Sequence, residues 1–62
     1  MLNRQFRSRK AAAAHQALWM TKFEQGVLAA RPELAGRVDW YAAKYFYFAG
    51  KEADEAVRIH LA

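Results

Sequence analysis

The sequence contains no cysteine. No disulfide can staple the fold, and no thiolate can hold a metal. Proline occurs once and glycine three times, so the backbone is interrupted at few points. No apolar run approaches the length that spans a bilayer, because the charge-free stretch Ala11 to Thr21 is short and carries His15 and Gln16. Acidic residues are missing from positions 1 to 22. Serine and threonine are limited to Ser8 and Thr21.

These absences exclude most chemistry. A covalent catalyst needs a nucleophile beside a base that a third group orients. Ser8, Thr21, His15 and His60 are too few and too scattered to supply that set. The clustered acids Glu52, Asp54 and Glu55 have another explanation, at the start of a helix. The two histidines lack a third ligand at helical spacing, and no HxxxH or CxxC occurs. The expectation is therefore a protein with no catalytic residues, no metal, no cofactor and no small-molecule substrate.

Length sets the next bound. A 62-residue chain forms one domain and buries only about 60% of its unfolded surface. Without disulfides or metal, tight helix packing and oligomerisation remain as stabilising devices. A hydrophobic content of 55%, with 15% aromatics, argues against disorder.

What is present is concentrated in Asp39 to Gly50, DWYAAKYFYFAG, which holds six of the nine aromatic residues and a single internal charge, Lys44. Aromatics favour strands, but Tyr45-Phe46-Tyr47-Phe48 has no polar alternation and the chain offers no partner strand. The stretch predicts a helix. Leu34, Val38, Tyr41, Ala42, Tyr45, Phe48 and Ala49 recur at three- and four-residue spacing and form a stripe expected to face the core. Trp40, Phe46 and Tyr47 are then expected to point away, with Trp40, Lys44 and Tyr47 together on the far side. A helix apolar nearly all round should be surrounded by protein.

The rest of the chain is arranged around this element. Met1 to Lys10 forms a basic arm. The alanine run 11 to 14 nucleates a long first helix reaching about Ala30, with Trp19, Met20, Phe23, Val27 and Ala30 on one face and Leu18 and Leu28 on the other. Gly26 costs helix stability unless the backbone is closely packed there. Arg31-Pro32 ends that helix, Pro32 to Ala35 makes a single turn, and Gly36 breaks it. Asp39 is placed to cap the aromatic helix and Gly50 to end it. A last helix over 51–60 has acids in its first turn and Arg58 and His60 in its last, matching the macrodipole.

The expectation is an all-α unit of three helices, residues 1–62 as one domain, with the first and aromatic helices paired, the last as a lid, and oligomerisation completing the core. Two functions compete. In the first, a protein-interaction module binds itself or another protein through Trp19, Phe23, Trp40, Lys44, Phe46 and Tyr47, since aromatics anchor interfaces. In the second, a nucleic-acid-binding regulator uses Arg4, Arg7, Arg9, Lys10, Lys22 and Lys44 on phosphates, with the rings of Trp40 and Tyr47, set between Lys44 and Lys51, stacking on bases. A net charge of +4 permits the second. A major-groove recognition helix is disfavoured, because the last helix begins with three acids. The Arg- and Ala-rich start has the composition of an organellar presequence, but it runs without a break into a helix with its own apolar stripe. The chain is expected in the cytoplasm and off the membrane.

Overall fold

The computed structural model describes residues 9–62. They form α1 (Arg9–Ala30), a 3₁₀ turn (Pro32–Leu34), α2 (Trp40–Phe48) and α3 (Ala53–Leu61), with no strand among the described residues. Most of the expected basic arm lies outside them. Arg9 and Lys10 belong to the first turn of α1, whose exposed N-terminal end is built of the alanine run.

The breaks follow local chemistry. Arg31, before Pro32, adopts φ −137° and ψ 76°, outside the helical region that a following proline disfavours. Its amide bonds the Val27 carbonyl at 2.7 Å and closes α1. Gly36 has φ +77°, so the chain turns out of the 3₁₀ segment. Asp39 sits in an extended conformation and its carboxylate accepts the Ala42 amide at 3.0 Å, an N-cap that satisfies one of the first orphan donors of α2. At the far end Gly50 has φ +83°. Its amide bonds the Tyr47 carbonyl and the Lys51 amide bonds the Phe46 carbonyl, both at 3.1 Å, the paired bonds of a Schellman stop. Residues 32–49 are thus two separate helical pieces. In α3, Asp54 and Glu55 occupy the first turn and Arg58 and His60 the last.

The core is small. It comprises Trp19, Phe23 and Val27 from α1, Val38 from the connection, Ala43 from α2, and Ala53 and Ala56 from α3. Three of the seven are alanines, so α2 and α3 meet their neighbours at short range. Gly26 shows the same economy: a Cβ there would lie 2.8 Å from Val57 Cγ2. Gly26 therefore lets α1 and α3 approach. The last helix is more than a lid, because α1 packs more extensively against α3 than against α2. The small side chains of α3 allow that close seat.

Trp19 joins α1, α2 and the connection that leads to α3. Its ring stacks on Phe23 with centroids 5.6 Å apart and meets Tyr47 edge-on at 5.4 Å. Its Nε1 donates to the Lys51 carbonyl at 2.9 Å, so a buried indole keeps its hydrogen bond. Tyr47 in turn pairs its hydroxyl with His15 Nδ1 at 2.9 Å. Among the described residues no buried side-chain polar atom lacks a hydrogen-bond partner.

Candidate functional site

With Ala43, Phe46 and Tyr47 turned inward, α2 carries Tyr41, Lys44, Tyr45 and Phe48 on its outer side. Tyr41 is 89% exposed, and Tyr45 and Phe48 are each 72% exposed. Together with Lys44 and Ala49 they line an open, largely apolar depression of about 500 Å³. Two of the outer rings meet inner ones. Tyr45 meets Phe46 edge-on at 5.6 Å, and Phe48 meets Tyr47 at 5.1 Å. This geometry is favourable for aromatic quadrupoles, and it ties the surface rings to the packed side of the same helix.

The expected orientation of α2 is reversed. Tyr41, Tyr45 and Phe48, assigned to the core stripe, face outward, while Phe46 and Tyr47, expected to project, pack against Phe23 and Trp19. The cause is the break at residues 36–39. Leu34 and Val38 precede the Asp39 cap and do not share a helix with the aromatics, so they cannot set its phase. Ala43 does set it, because a fully buried alanine marks where the backbone comes closest to its neighbours. Lys44 is the one visible hint of the solvent side, and a single charge among eight uncharged residues does not fix the phase of the helix.

Other expected interface residues take different places. Phe23 is fully buried and Trp19 nearly so, both as internal core. Trp40 stands at the edge of the outer face, 42% exposed. Lys44 lies on that face. Of the expected α1 face, Trp19, Met20, Phe23 and Val27 lie in or against the core while Ala30 is exposed, and of the other strip Leu28 also packs against the core while Leu18 remains exposed.

The expected phosphate-binding set is dispersed. Arg4 and Arg7 lie outside the described residues. Arg9 and Lys10 are exposed at the start of α1. Lys22 lines a groove of about 180 Å³ with His15, Leu18, Trp19 and the acids Glu52 and Asp54, whose negative charge opposes a phosphate there. Lys51, a further cation of the stacking arrangement, is 3.9 Å from Glu55. Tyr47 of that arrangement is turned inward, and the rings now neighbouring Lys44 are Tyr41, Tyr45 and Phe48.

His60 packs against both Phe23 and Phe46, with ring centroids at 5.7 and 6.4 Å. Among the described residues no group of three metal-ligating side chains converges, and no helix is long and apolar enough to cross a membrane. No family model, curated protein or solved structure matches the chain.

Proposed function

We propose that this chain is a small, non-enzymatic protein-interaction module, acting in the cytoplasm, whose working surface is the outer face of α2. The observation that supports it is three large aromatic rings left outside the core on one helix face, two of them, Tyr45 and Phe48, edge-on to the inward rings Phe46 and Tyr47. Such a contiguous apolar patch on a small protein marks an interaction surface, and aromatic anchors supply most interface energy. The partner is a copy of the chain or another protein that completes the cover of α2. Trp40 borders this surface and Lys44 contributes a rim charge.

A second reading keeps one specific support. Lys44 amid exposed rings is also the pattern of a stacking platform for unpaired bases, and the chain carries a net +4 charge. Under this reading the rings are Tyr41, Tyr45 and Phe48, with Arg4, Arg7, Arg9 and Lys10 as supporting cations.

One experiment addresses both. A photo-crosslinking phenylalanine analogue is placed at Tyr45, with Gln25 on the exposed side of α1 as control, and irradiated in cells of the native host. Protein adducts specific to position 45 are the expected result. Nucleic-acid adducts instead would transfer the function to the second reading. No adduct above the Gln25 control would contradict both.

A further inference from the structure

The exposed face of α2 has an area that can be set against what association requires. At roughly 200 Å² for a whole aromatic side chain, Tyr41, Tyr45 and Phe48 leave about 450 Å² uncovered. Trp40, the Lys44 methylenes and Ala49 extend this to roughly 600 Å² per chain, about 1,200 Å² for a pair, the lower bound for stable specific interfaces.

We infer that the occupant of this face is a second copy of the chain, seated two-fold so that α2 packs on α2 of its partner. This rests on the reading of that face as a protein-interaction surface, and it names the partner. A two-fold contact needs a patch complementary to itself. The outer face meets that need: it is built of rings, which pack on rings in offset or edge-on geometry. Its single charge, Lys44, has a stem long enough to lie along the rings while the ammonium stays in water. The pairing also answers a deficit of the fold. Among the described residues the core holds seven side chains, three of them alanine, which is little buried volume to hold the fold together. Covering three more rings on a copy adds the burial that a small scaffold otherwise draws from disulfides or metal.

The charge makes a signed prediction. Each chain carries +4, so two copies repel at long range, and salt screens that repulsion. Self-association therefore tightens as salt rises. Binding to nucleic acid would weaken, because salt competes with phosphate contacts.

The test is the molar mass of the full chain by light scattering at about 100 µM, in about 20 and about 200 mM salt, where screening changes most. Tyr45→Glu is measured beside Gln25→Glu, which makes the same change in net charge on the exposed side of α1. Circular dichroism verifies that both variants keep their helix content. The expected result is a mass near twice the 7.1 kDa of the chain, a dissociation constant several-fold smaller at the higher salt, and a monomer for Tyr45→Glu alone. A native chain monomeric at both salts would overturn the inference, as would a dimer that Tyr45→Glu leaves intact. The interaction reading fails separately. If the native chain is monomeric but position 45 crosslinks to a different protein in cells, self-pairing falls and the interaction surface stands.

Discussion

Gly26 and Gly50 are constrained for opposite reasons, and substitution separates them. At Gly26 the backbone is helical, and alanine would gain about 1 kcal/mol of helix propensity. The added Cβ, however, meets the stiff Val57 side chain at 2.8 Å, and overpacking of that kind costs about 1–3 kcal/mol. Gly26→Ala is therefore expected to lower stability by about 1 kcal/mol net, and denaturant unfolding of Gly26→Ala with Val57→Ala should show less than the sum of the two losses. At Gly50 a Cβ would meet nothing, and the cost lies in φ +83°. Gly50→Ala should lose about 1–2 kcal/mol, and Gly50→Asn less, since asparagine tolerates the left-handed region. Equal losses for alanine and asparagine would contradict the assignment of the cost to backbone conformation.

At the scale of the element, α2 has a packed side and a free side one residue apart. Phe46 lies against Phe23 and His60, whereas Tyr45 is largely exposed. In dilute protein, Phe46→Ala is expected to cost about 1 kcal/mol or more beyond Tyr45→Ala in chemical denaturation, since Phe46 is partly buried against the core and truncation of a fully buried phenylalanine costs about 3–5 kcal/mol. Similar losses would mean that the phase of the helix is wrong. Asp39→Ala removes the N-cap bond to Ala42 and should cost about 1 kcal/mol.

That phase is also where the sequence stops being legible. Helix ends are written in residues with distinct local physics: Pro32 and its non-helical predecessor, the Asp39 carboxylate, the left-handed Gly50, the acids and bases at the two ends of α3. Each marks its boundary through its own chemistry, without help from tertiary packing. The inner face of α1 is legible too, because Trp19, Phe23 and Val27 keep four-residue spacing. The face of α2 is not, since eight of its nine residues are uncharged and a nearly uniform helix has no polar side to mark the outside. The decisive residue, Ala43, is small, and hydrophobic periodicity gives small residues little weight even where packing depends on them.

For the whole molecule the same small core sets the margin. Scaffolds of this size draw only about 3–5 kcal/mol from a single core, and Phe23→Ala removes about that much. The variant is expected to lose cooperative thermal unfolding in dilute solution, and a clear sigmoidal transition would show stability beyond what the core explains. The proposed association through the outer face of α2 would add stability only where copies meet, so it would have a signature that internal packing lacks. The most direct test is the thermal midpoint of the native chain and of Tyr45→Glu over a hundredfold range of protein concentration. By mass action the native midpoint should rise by roughly 5 °C or more across that range, while the variant stays flat. A native midpoint independent of concentration, or a variant that rises in parallel with it, would contradict self-association through this face.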